Sequence, residues 1–69
     1  MSIVYANAGS QVQIKKITGD EKVRQHLAEL GFVAGETVTV INEIAGSLIL
    51  QVKDSRIAVN RSMANRIEI

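Results

Sequence analysis

"HLAELGFVAGETVTVI", His26 to Ile41, holds the joint on which the fold turns. Upstream, Val23, Leu27 and Leu30 recur at i, i+4 and i+7, the narrow apolar stripe of a helix lying on a core. Downstream, Val38 and Val40 alternate with Thr37 and Thr39, the period of a strand. Between them stand Gly31 and Gly35. Gly31 is placed as the left-handed residue that ends a helix, where any Cβ is unfavourable. Phe32 then follows the cap and folds back toward Leu27. Gly35 permits a tight reversal before Thr37. The helix is expected from Asp20 to Leu30. Thr18-Gly19-Asp20-Glu21 has capping-box spacing, with Asp20 as a rival N-cap.

The same alternation runs through the rest of the chain. Val12 and Ile14 alternate with Gln11, Gln13 and Lys15, giving a first strand that ends near Ile17. Leu48, Leu50 and Val52 form another, Ile57 and Val59 a fourth, and Ile67 and Ile69 the last. Each has one apolar face and one mostly polar face, as antiparallel strands with one wet side require. Hairpin turns are expected at Ala45-Gly46-Ser47 and Asp54-Ser55. Five short strands cannot form two full sheets. Curling into a small barrel buries the apolar face and shortens the exposed edges. The expected fold is mainly β: a small five-stranded SH3-like barrel with one short helix inserted after the first strand. The OB-fold is the nearest alternative. Tyr5 is expected over the barrel's end.

Composition narrows the function. At 69 residues the chain is one domain, 1–69, and a domain this small is marginal in stability. It has no cysteine, hence no disulfide and no thiolate metal site. Nine Ile, eight Val and four Leu supply the core, a mix suited to strands. Net charge is +1, with the signs interspersed. Lys15, Lys16, Lys53, Arg56, Arg61 and Arg66 are scattered over several strands, and the aromatics are only Tyr5 and Phe32. Single-strand binding uses aromatic stacking platforms and basic grooves, so no nucleic-acid partner is expected. Proline-rich peptide grooves also need several aromatics, so the resemblance to SH3 domains is one of shape. Apolar runs such as Leu48 to Leu50 fall far short of the roughly 20 residues that cross a bilayer. Met1 to Tyr5 lacks the basic start and long apolar core of a secretory signal.

Chemistry-bearing residues are sparse. His26 is the sole histidine, and none of Ser10, Ser47, Ser55 or Ser62 sits in a nucleophile motif. Gly31 to Gly35 is not a phosphate loop, because no Lys-Ser or Lys-Thr follows it. No catalytic residue is expected. His26 and Glu29, three apart on one helix face, are the two metal-ligand candidates. Leu30, Phe32 and Val33 are either core or an exposed apolar corner, with Arg24, Gln25 and Glu29 as its polar rim. Those six residues form the candidate partner-binding surface.

"LAELGFVAGETVTVI", "SRIAVN" and the terminal "ANRIEI" resemble the ferrous iron transport protein A (FeoA) family. The same core module forms the C-terminal domain of iron-dependent repressors. The best-matched positions are Leu27, Leu30, Gly31, Gly35, Val38, Val40, Ile57, Ala58, Ala64 and Ile67. Ala34 stands where the family often has proline, and Asn60 where arginine often follows the strand. The resemblance implies a cytoplasmic accessory protein of bacterial ferrous iron uptake, not an enzyme, with no cofactor beyond weak transition-metal binding. Its implied partner is the cytoplasmic region of an iron transporter bearing a GTPase domain (FeoB-like), which would recruit it to the inner face of the membrane. A monomer or weak dimer is expected. The alternative is a stand-alone metal- or peptide-binding regulatory domain related to the repressor C-terminus.

Overall fold

The computed structural model describes all 69 residues. Its first long apolar-alternating run is kinked. β1 (Gln11–Gln13) pairs antiparallel with β3 (Thr37–Ile44), Val12 opposite Val38. The Ile14 N–H donates to Glu36 O at 2.9 Å, whereas the Lys15 N–H donates to Glu68 O at 2.7 Å. The run thus changes partners between these two residues. β2 (Lys16–Ile17) then pairs with β6 (Ile67–Glu68). Ile14 is buried at the corner. Its apolar side chain enters the core while the strand on either side serves a different sheet. Counted as one bent strand, this run leaves five, the number the alternation predicts.

The larger sheet has the order β1-β3-β4-β5, with β4 at Ser47–Val52 and β5 at Ser55–Asn60. The ladder is open between β5 and β6, which do not pair. A helix expected by no periodicity explains this. After β5 the chain enters α2 (Arg61–Ala64) instead of a hairpin. Asn60 caps it, its Oδ1 accepting from the Met63 N–H at 2.8 Å and from Ser62 Oγ at 2.9 Å. Near the N-terminus, a 3₁₀ turn at Ile3–Tyr5 is capped by Ser2. Ile3, not Tyr5, plugs the core there. Tyr5 is 69 % exposed, because the three-residue turn directs Ile3 inward.

α1 spans Glu21–Glu29, with the expected outer residues Asp20 and Leu30 serving as its caps. Asp20 Oδ1 accepts from the Val23 N–H at 2.9 Å. Thr18 loses the competition because its Oγ1 and N–H both donate to Arg66 O, tying β2 to β6. The C-terminal end closes as a Schellman motif. The Phe32 N–H reaches Leu27 O at 2.9 Å and the Gly31 N–H reaches Ala28 O at 3.0 Å, with Gly31 at φ +105°. The Gly35 N–H then donates to Ile14 O at 2.8 Å, fastening the second turn to the kink of the first strand.

β3 carries a bulge at Ile41. Val40 faces Leu50, and Asn42 already faces Ile49. The extra residue inverts the alternation. Val38 and Val40 are buried, while Asn42, Glu43 and Ile44 are exposed. Both hairpins have two-residue loops, Ala45-Gly46 and Lys53-Asp54. The second lies one residue earlier than Asp54-Ser55, because Ser55 already pairs with Val52. The core gathers Ile3, Ile14, Leu27, Phe32, Val38, Val40, Leu48, Leu50, Val52, Val59, Ala64 and Ile67.

Two substitutions test this backbone in opposite directions. A Cβ at Gly31 would sit 3.4 Å from Val52 Cγ1, at a left-handed φ. Gly31→Val should cost about 1–3 kcal/mol, read as a lower urea midpoint with unchanged slope. Ala45 is a non-glycine residue at φ +51°, followed by Gly46 at +80°. Asparagine tolerates this geometry better, so Ala45→Asn should raise stability by about 0.5 kcal/mol, seen as a higher melting temperature.

Candidate partner-binding surface

α1 rests on the core by one narrow stripe. Leu27 is fully buried, and Val23 and Leu30 are half-buried. Every other residue of the helix, Glu21, Lys22, Arg24, Gln25, His26, Ala28 and Glu29, is exposed. The chain's two ion pairs lie elsewhere, between the Met1 ammonium and Glu68 and between Arg61 and Glu43. The charged side chains of this face are therefore committed to nothing inside the fold.

Beyond the helix end, the candidate corner divides. Phe32 is 0 % exposed and is not part of any surface, which corrects its assignment to the partner-binding set. The Schellman bond from its N–H to Leu27 O carries the side chain inward rather than outward. Val33, the next residue, is 43 % exposed, and Ala34 and Gly35 are exposed after it. Gln13 Nε2 donates to Gly35 O at 3.2 Å, holding the turn from the neighbouring strand. Val33, Ala34 and the half-buried Leu30 lie at the C-terminal end of α1, and Arg24, Gln25 and Glu29 are exposed along the helix before it.

His26 and Glu29 share that face, but no third histidine or carboxylate joins them in a group able to hold a metal. The rest of the molecule offers little reactive geometry. A shallow depression of about 380 Å³ lies between the 3₁₀ turn and α2, lined by Val4, Tyr5, Arg61, Ser62 and Asn65. Its guanidinium is held by Glu43 at 3.1 and 3.3 Å, and its hydroxyl donates to the carboxamide of Asn60, so neither nucleophile nor base is poised there. A second depression, about 220 Å³, is lined mainly by apolar residues with Asn7, Asn42 and Glu43. No buried polar side-chain atom lacks a hydrogen-bond partner. The α2 depression went unforeseen. Its one sequence signal is Asn60, a good N-cap residue ending an apolar-alternating strand. No helix is long and apolar enough to cross a membrane.

The chain is similar to known proteins over its whole length. A family model described as FeoA domain matches residues 1–69. "Putative Fe(2+) transport protein A" of Methanocaldococcus jannaschii is 31% identical over 67 residues, covering 97% of this chain and 82% of that protein. Stenotrophomonas maltophilia FeoA, a prokaryotic SH3 domain protein solved with zinc, superposes with a TM-score of 0.84 at 25% identity, over 97% of this chain and 86% of that one. An iron uptake regulatory protein (FeoA) gives 0.89 at 24% identity, covering 97% of this chain and 91% of that chain. A manganese-dependent transcriptional repressor shares the fold, with a TM-score of 0.86 at 16% identity; the match spans 97% of this chain and 39% of the repressor. The SH3-like expectation therefore holds, and so does the kinship of fold with metal-dependent repressors. With its entire length matched by the family model and a relative above 30% identity, the chain belongs to the FeoA family.

Proposed function

We propose that this chain is a cytoplasmic accessory protein of ferrous iron uptake that acts by binding the cytoplasmic part of a GTPase-bearing iron transporter. Family membership supports the link to ferrous iron. For the Stenotrophomonas maltophilia relative, a role as a ferrous iron transport activating factor has been put forward. The observation that carries a binding role is the uncommitted face of α1 beside the exposed Val33. Contact cores are apolar and their rims polar, and this corner has that arrangement. Arg24 supplies the donor-rich anchor that such contacts favour.

Capture of the transporter's cytoplasmic region by the pure chain tests this. Arg24→Ala and Val33→Asp should each weaken capture about fivefold or more and leave the melting temperature within about 2 °C. Undiminished capture by both variants would remove α1 and its joint as the contact. Unchanged ferrous iron uptake in a deletion strain, with no detectable complex, would remove the function itself.

A regulatory domain that senses metal directly is the second reading, favoured by the shared fold with a manganese-dependent repressor. Zinc sites are generally four-coordinate, and His26 with Glu29 supplies two ligands at most. Calorimetric titration with zinc should therefore give weak binding that His26→Ala abolishes. A tight stoichiometric complex, indifferent to that substitution, would place the ligands elsewhere and favour metal sensing.

A further inference from the structure

β5 is one of the two edge strands of the four-stranded sheet, and the longer of them. It runs for six residues in unbroken register with β4, without a bulge, and the chain contains no proline. Proteins usually blunt such an edge with a charge, a proline or a bulge, because its free N–H and C=O groups attract another strand. The one charge here does not cover it. Arg56 turns over β4, its Nε donating to Gln51 Oε1 at 3.2 Å. Beyond the strand, Arg61 is likewise drawn away, toward Glu43 on β3.

The direction of the free groups follows from the hairpin. A two-residue loop makes its closing pair, Val52 and Ser55, hydrogen-bond to each other. Alternation then turns Ser55, Ile57 and Val59 toward β4, and Arg56, Ala58 and Asn60 outward. No loop or side-chain hydrogen bond reaches the backbone of Arg56 or Ala58 from outside the sheet. Three outward residues, spaced by two and centred on an exposed alanine, form a self-complementary set.

We propose that β5 pairs antiparallel with β5 of a second copy of this chain about a two-fold axis at Ala58. Ala58 then faces the partner's Ala58, and Arg56 faces the partner's Asn60 on both sides of the axis. Ala58 exchanges two hydrogen bonds with its counterpart, and the Asn60 N–H donates to the partner's Arg56 carbonyl, the Asn60 carbonyl serving α2 as its N-cap. An axis at Ile57 or Val59 would pair only two of the outward residues within the strand. The outer face gains a continuous aliphatic row, since Ile49 is the neighbour of Ala58 on β4. On the inner face the half-buried Ile57 packs beside the partner's Val59. The charges agree as well. Asp54, exposed and in no ion pair, precedes β5 and comes against the partner's Arg61, which follows β5 and gives only its Nη1 to Glu43, leaving its other donors for Asp54. The complementary contact occurs twice. A single short strand buries little area, so the dimer is weak, with a dissociation constant on the order of 0.1–1 mM. None of these residues belongs to the α1 face, so failure of either proposal leaves the other standing.

Sedimentation equilibrium from micromolar to millimolar protein should show a monomer–dimer equilibrium. Ala58→Pro removes an outward N–H, which an edge strand tolerates, and should weaken association at least about tenfold. Asp54→Arg, a surface change outside the strand, should weaken it too. The chain has no cysteine, so Ala58→Cys reports directly. Facing residues of a hydrogen-bonded pair lie about 5.5 Å apart, within disulfide reach, and mild oxidation should cross-link this variant faster than Asn42→Cys. Three results would each overturn the proposal: a monomer at millimolar concentration, association indifferent to both Ala58→Pro and Asp54→Arg, or equal cross-linking of the two cysteine variants. A monomeric native chain whose capture of the transporter's cytoplasmic region is lost in Ala58→Pro would assign the edge to a donated strand instead.

Discussion

The turn at Gly31 and Phe32 is the constraint on which the rest of the fold depends. Gly31 takes a left-handed conformation at φ +105°, and this lets the Phe32 N–H close on Leu27 O. That closure does three things at once. It satisfies carbonyls that the helix end would leave bare. It buries Phe32, the largest side chain of the core. It also releases the chain toward β3 within a few residues, where the Gly35 N–H meets Ile14 O. Helix, core and sheet are joined through one peptide geometry, and Val52, at 3.4 Å from where a Cβ would stand, leaves little space for a side chain.

The kink at Ile14 and Lys15 is the counterpart of that turn. Two sheets of four and two strands need a shared element to enclose one core. A straight strand would extend one sheet and leave the other without a partner. The bend lets Val12 stand opposite Val38 while Ile17 stands opposite Ile67. Ile14 is buried at the inner side of the bend. Since Gly35 docks on the carbonyl of this same residue, the two sheets and the helix joint meet at one point. In a domain this small, such convergence substitutes for the larger core it cannot build.

Period was legible in the sequence; competition between partners was not. Alternation located all five strands, and the stripe of Val23, Leu27 and Leu30 located the helix, because burial imposes those periods directly. Asp20 and Thr18 were equally good caps on spacing. The choice was made by Arg66, 48 residues beyond Thr18, whose carbonyl takes the threonine hydroxyl. The bulge at Ile41 was hidden because an isoleucine fits either face of a strand, and the phase shift appears only against β4. α2 was hidden by its length, since four residues show no period, although Asn60 was a readable cap. For the candidate surface, Arg24, Gln25, Glu29 and Val33 are exposed, as a polar helix face and a turn residue should be. Phe32 had two roles open to it, and only the cap geometry separated them.

These placements bear on what kind of function the molecule can support. Its polar groups divide into two populations. One is engaged at the corners of the fold: Ser2, Asp20, Asn60 and Thr18 each hold a backbone group and fix a cap or a sheet junction. The exposed helix face is not engaged in this way. The fold spends much of its polar order on its own corners and leaves the exposed face of α1 without ion pairs inside the molecule. The helix face offers side chains, which would give a bound partner specificity. The β5 edge offers backbone, which any strand can use, so its selectivity has to come from register and from the charges at its two ends.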